Sequence, residues 1–310
     1  MRRSLGSAVS VVVAGLVVVL ALAPSRASAG SGANEIRFEL HDGNFIVGFS
    51  YAPPHPTAAP VLVMIHGASD THTVFDFTPG FRAAPELAQR GIPVLTVDRV
   101  GYGASSHPNG DTLSFATSAS YVHEVISAVR GGALGFVPPA VVLLGPSAGG
   151  DVALVEAGTY HDVDGLIVVS NTSQLQPALF NVDFGAFFAQ GDYFDFGVPF
   201  RTDFFYAQPF ALQFIIDLDN ATRALVPRAE IGSALAGASA PFRSQVTAPV
   251  LLVQADHDAI FIPVDDTALF SASSDVSYTL MHATGHKLFE HPASHALAVN
   301  RIADWMSARF

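Results

Sequence analysis

The stretch Val141–Gly158, VVLLGPSAGGDVALVEAG, sets a serine among glycines where a β-branched run gives way to small, helix-favouring residues. In a junction rich in Gly and Pro, a serine is most simply a turn residue. The flanks are more specific. Val141–Leu144 is a continuous apolar run suited to a strand buried on both faces, and Ala148–Tyr160 reads as a helix. Between them Gly145-Pro146-Ser147-Ala148-Gly149 fits G-x-S-x-G, a sharp strand-to-helix bend that pushes the serine oxygen out above a sheet. A hydroxyl is a poor nucleophile at neutral pH, so this reading needs a base and a group that orients the base.

Further apolar runs lie on either side: Val61–Ile65, Val94–Val97, Leu166–Val169 and Val250–Gln254, with helix-like segments between them. The alternation predicts an α/β domain whose mostly parallel sheet is covered by helices on both faces. Ile36–Leu40 and Phe45–Tyr51, separated by His41-Asp42-Gly43-Asn44, read as an opening antiparallel hairpin. Ser277–Met281 is a last strand and Ala293–Arg309 a closing helix. Between Asn171 and about Arg243 there is no strand-like run, and eleven of the chain's 24 phenylalanines fall between Phe180 and Phe214. That predicts a helical, Phe-rich insertion over residues 171–243, dividing a core of residues 30–170 and 244–310. Its rings either form a small core of their own or face a substrate from the underside of a lid. Phe187, Phe188, Phe204 and Phe205 are the substrate-facing candidates.

The base is expected at His286, on the Thr284–Lys287 loop after the last strand, at the same end of a parallel sheet as Ser147. His257, His282, His291 and His295 compete, and packing or surface roles are expected for them. No metal site is expected there, because no acid is read at ligand spacing among them. Asp256 and Asp258 both follow Val250–Gln254, and Asp258, further into the loop, is favoured as the acid that turns towards His286. The oxyanion donors are expected to be the backbone N–H groups of Ala148, next to the nucleophile, and Ala68, beside Gly67; Ser69 is the weaker choice. His66 is read as structural.

The remaining limits come from the whole chain. Arg2 and Arg3 precede an apolar run from Ala8 to Ala23, and Ala27-Ser28-Ala29 then supplies small residues, the order of a secretory signal peptide over residues 1–29. The competing reading is a membrane anchor, since about 17–25 apolar residues can span a bilayer. Twin-arginine export lacks the expected flanks. Loss of Arg2, Arg3 and Arg26 with no acid would take the net charge from −12 to about −15. Such an acidic body disfavours nucleic acid. With no cysteine, disulfides, thiolate metal sites and a cysteine nucleophile are all excluded.

From Val61 to the C-terminus the chain resembles the α/β-hydrolase superfamily. Besides the ordered Ser147, Asp258 and His286, it carries Asp98-Arg99-Val100-Gly101-Tyr102-Gly103-Ala104-Ser105, which matches a D-x-x-G-x-G-x-S turn after the fourth strand. Pro249-Val250-Leu251 through Asp258 to Pro263, and Gly285-His286 through Glu290 to Pro292, match two more blocks. Pro146 departs from the residues many members place there. The resemblance implies an eight-stranded, mostly parallel sheet with a cap after the sixth strand, and serine in place of the aspartate nucleophile of dehalogenases and epoxide hydrolases. The expected function is a secreted carboxylic-ester hydrolase acting on small apolar esters through an acyl-enzyme, with no cofactor and no metal. The alternatives are an exported peptidase or amidase with the same triad, and a catalytically silent binding protein on this fold.

Overall fold

A computed structural model describes residues 32–54 and 59–310, so the expected signal peptide over residues 1–29 lies outside the described residues. The strands are β1 (Asn34–Glu39), β2 (Phe45–Tyr51), β3 (Val61–Ile65), β4 (Val94–Asp98), β5 (Val141–Pro146), β6 (Gly165–Val169), β7 (Tyr193–Phe194), β8 (Val226–Pro227), β9 (Val250–Ala255) and β10 (Val276–Met281). Eight of them form one sheet in the order β1-β2-β4-β3-β5-β6-β9-β10. The β1–β2 and β2–β4 pairings are antiparallel and the rest are parallel.

The helices are α1 (Ala83–Gln89), α2 (Phe115–Arg130), α3 (Ala148–Tyr160), α4 (Phe184–Phe188), α5 (Gly197–Phe205), α6 (Gln213–Ala221), α7 (Arg228–Leu235) and α8 (His295–Ser307). Side chains alternate across a strand, and β3 shows the result. Val61, Val63 and Ile65 join one buried cluster with α2 and α3, while Leu62 and Met64 join another with α1 and α8. Both faces of the sheet are therefore dry, which is why these strands read as unbroken apolar runs. The helix α2 is opened by Ser114, whose hydroxyl accepts the Thr117 N–H, and closed at Gly131. Trp305 of α8 is fully buried against the second cluster.

The segment between β6 and β9 holds α4 to α7 and several single turns. Two short strands there correct the expectation of none: β7 pairs antiparallel with β8 through Tyr193↔Pro227 and Phe194↔Val226. Two residues are too few to display a period of two, and Pro227 reads as a breaker. The eleven phenylalanines divide. Phe194, Phe196, Phe200 and Phe205 are buried, whereas Phe180 and Phe214 are 75% and 56% exposed. Among the described residues, no helix is long and apolar enough to cross a membrane.

Candidate active site

Parallel strands carry their following loops to one sheet edge, and here β3, β5, β9 and β10 deliver His66–Ser69, Ser147, Asp258 and His286 to it. Ser147 sits between β5 and α3 at φ 52° and ψ −129°, a left-handed backbone that is costly for a residue with a Cβ. The bend is held because neighbouring glycines leave no room for anything else. A Cβ on Gly145 would lie 2.2 Å from the Gly149 carbonyl oxygen, and one on Gly149 would lie 2.5 Å from that of His66. The β3 loop thereby packs directly beneath the serine. Ala148 opens α3, where the first N–H groups have no partner within the helix.

His286 Nδ1 lies 2.8 Å from Asp258 Oδ2, and the other carboxylate oxygen accepts the N–H groups of Ile260 (2.7 Å) and Phe261 (3.0 Å). Both side chains are buried. Phe205 and Phe261 flank the imidazole, with ring centroids 5.6 Å and 5.9 Å away. His286, Ser147, Gly67 and Ala68 line one small cavity of about 20 Å³. Among the described residues no hydrogen bond joins the Ser147 hydroxyl to His286, a looseness common in ligand-free sites.

Asp256 has a different task. Burial pushes its carboxyl up, but His257, the Thr284 and Ala283 N–H groups and His282 outweigh that and hold it at about 2. It accepts from His257 (2.7 Å), His282 (3.1 Å), Ala283 N–H (3.2 Å) and Thr284 N–H (3.2 Å), so it shapes the loop that presents His286. His291 is buried beside the same loop: Nδ1 donates to the Lys287 carbonyl at 2.8 Å and Nε2 accepts from Gly285 N–H at 3.1 Å. His295 is tied to the Phe289 carbonyl and Glu86.

A larger cavity of about 80 Å³ opens from Ser147, Ala148 and Ala68 beneath the β6–β9 segment. Its walls are Leu179, Phe184, Phe196, Phe200, Phe205 and Phe261, among others. Of the four rings singled out by sequence, Phe205 lines this space and Phe187, Phe188 and Phe204 do not. Phe187 packs edge-on to Phe196 and Phe200, Phe188 packs on Phe194, and Phe204 stacks on Phe200 at 4.6 Å. These three form the layer behind the wall. One acid interrupts the apolar lining: Asp151, a turn beyond Ser147, accepts from Ser239 Oγ at 2.5 Å. Burial raises its pKa, against the opposing pull of Ser239 and Arg243.

Two buried charge clusters brace the site, and neither was found by sequence reasoning. Arg99 donates to the His66 carbonyl at 2.9 Å and the Gly67 carbonyl at 3.2 Å, and forks onto Glu230 of α7 at 2.6 Å and 3.0 Å. His66 donates from Nδ1 to the Gly67 carbonyl and accepts Arg99 N–H at Nε2. Burial and the adjacent guanidinium lower its pKa to about 3, so it stays neutral and structural. In the second cluster, Lys287 Nζ meets Asp70 (2.5 Å) and Asp219 of α6 (2.9 Å). Arg201 of α5 bonds Asp219 and Ser69 Oγ. The only sequence signal was the run of polar residues beside motif glycines. Lys287→Met is expected to lower stability by about 3–5 kcal/mol, because it takes from the buried Asp70 its hydrogen-bonded cation and leaves Asp219 with Arg201 alone. Denaturant melting of the two proteins measures this.

The fold and the edge placement of these groups are those of one protein class, the hydrolases built on a doubly covered α/β sheet. The Alpha/beta hydrolase family matches residues 62–299, and the chain belongs to that family. No curated protein matches the sequence. Among solved structures it is similar to a thermophilic esterase from Thermogutta terrifontis, with 18% identity, TM-score 0.65, and 89% of this chain and 99% of that one covered. Est1E from Butyrivibrio proteoclasticus, solved with ferulic acid bound, gives 15% identity, TM-score 0.62 and coverage of 88% and 98%. A bacterial membrane phospholipase A gives 20% identity, TM-score 0.64 and coverage of 89% and 87%. These identities speak to fold alone.

Proposed function

We propose that the protein is a serine carboxylic-ester hydrolase that acts outside the cytoplasm on small apolar esters. The observation that carries this is His286, paired with the buried Asp258, sharing a cavity with a serine held on a left-handed bend. His286 takes the proton of Ser147 as the hydroxyl attacks the ester carbonyl, and Asp258 steadies the imidazolium. The tetrahedral oxyanion is met by the N–H groups of Ala148 and Ala68. The alcohol leaves with the proton from His286, and the acyl-enzyme is then hydrolysed by water activated at the same ring. The apolar walls of the 80 Å³ cavity suit an acyl or aryl group of a few carbons. The residue 171–243 segment serves as the lid over it. Export rests on the residue 1–29 leader, and secretion of a tagged full-length chain in place of its retention tests that part.

The test of the activity is hydrolysis of p-nitrophenyl esters of graded acyl length beside aminoacyl anilides. Cleavage of anilides with no ester turnover would reassign the site to amide chemistry. Phe200→Ala and Phe204→Ala separate wall from backing. Phe200→Ala is expected to move the preferred acyl length upward by enlarging the cavity. Phe204→Ala should leave the preference in place and lower the melting temperature. The buried Phe200 costs up to about 3–5 kcal/mol on truncation, and the part-buried Phe204 less. A preference profile unchanged by Phe200→Ala would remove this ring from recognition.

A further inference from the structure

His123 of α2, Glu156 of α3 and Asp162 in the loop before β6 bring three donor atoms within 4.8 Å of one another, away from the sheet edge that carries Ser147. Glu156 is fully buried, yet among the described residues neither of its carboxylate oxygens has a hydrogen-bond partner, and Asp162 Oδ1 is also buried without one. Leaving a buried carboxylate unpaired is costly. The nearest cation, Arg130, is turned elsewhere: it donates to the Asp162 carbonyl (2.7 Å) and the Asp164 carboxylate (2.5 Å). Tyr160 stacks on the His123 ring at 3.9 Å and fixes its plane.

The geometry points to a binding site for a divalent transition cation of the zinc type, ligated by His123 Nδ1, Glu156 and Asp162. One imidazole nitrogen with two carboxylates is a donor set that zinc accepts, with solvent completing the shell. Ligand atoms at zinc bond lengths of about 2.0–2.1 Å and tetrahedral angles stand about 3.3 Å apart. His123 Nδ1 is 2.7 Å from Asp162 Oδ2 and 4.0 Å from Glu156 Oε1, distances that bracket this spacing. The part-exposed His123 and Asp162 give the ion a way in, and Glu156 is the inner wall. The ion would clamp α2 to α3, the helix that begins at the nucleophile.

The test titrates the full chain, stripped with chelator and desalted, with zinc chloride alone by calorimetry, and compares melting with and without zinc. One equivalent should bind, and zinc at about a hundredfold excess over Kd should raise Tm by about 5 °C or more. Glu156→Gln and His123→Ala should each lose that equivalent while ester hydrolysis stays unchanged. His257→Ala should retain it, which separates this site from the exposed histidines around Asp256. If Glu156→Gln does not fold, the part-exposed His123→Ala decides alone. Three results would overturn the site: no binding up to about 1 mM zinc, binding that persists in both ligand variants, or binding lost only in His257→Ala. Glu156 and Asp162 would then be a proton-sharing pair with no ion.

Discussion

Ser147→Ala is expected to lower kcat for ester hydrolysis by about 10⁶-fold, the scale on which a lone triad nucleophile is worth as much as the whole unit. What survives would be binding and the oxyanion donors. The fold should be untouched. The side chain is half-buried on a turn, makes no capping hydrogen bond, and alanine keeps the Cβ that already tolerates φ 52°. A fluorophosphonate probe should label the parent and not the variant. Residual turnover above about one part in a thousand, measured after excluding contaminating esterase, would place the nucleophile on another residue.

Asp258→Asn should cost about 10⁴-fold in kcat. Asp258 Oδ1 accepts two backbone N–H groups, so an asparagine would keep its oxygen there and turn its NH₂ towards His286. An NH₂ facing Nδ1 forces the ring proton onto Nε2, the atom that must accept from the serine. The imidazolium also loses its counter-charge. Asp256→Asn should leave kcat within about tenfold and act mainly on stability, since Asp256 collects its partners from the loop and not from His286. A reversal of the two effects would exchange the roles of the acids.

The strand pattern was legible, and Ser147, Asp258 and His286 could be picked out as candidates, because each is a local signal. An apolar run, a glycine-flanked bend, and an acid or histidine just past a strand end can each be read within a few residues. Asp258 could be preferred to Asp256 by its place in the loop; its carboxylate lies 2.8 Å from His286 Nδ1. The Phe-rich segment was harder. Its helices are short, α4 having five residues, so no face repeats often enough to show which side is inward. Phe196, Phe200 and Phe204 stack at helical spacing, with centroids 4.5 Å and 4.6 Å apart, yet only the first two reach the cavity. The ladder outruns the pocket by one turn. The charge clusters were illegible for another reason: Arg99 with Glu230, and Lys287 with Asp70, are joined only by the finished topology.

The ties between the β6–β9 segment and the sheet are unevenly distributed. Arg201 and Asp219 fasten α5 and α6 to Lys287 and Ser69, and Glu230 fastens α7 to Arg99. Among the described residues no ion pair reaches residues 177–189, where Leu179 and Phe184 close the cavity and Phe180 projects into water. Lifting the fastened side would strip buried charges of their partners just where the oxyanion loop and the histidine loop are braced. The loose side can part at the lesser cost of exposing apolar contacts and breaking a hydrogen bond from Arg228 to the Phe188 carbonyl. If the segment is the lid proposed above, its roof would have a hinge side and a doorway: substrate would enter past Leu179 and Phe184, and the proposed catalytic groups would stay clamped while the door moves.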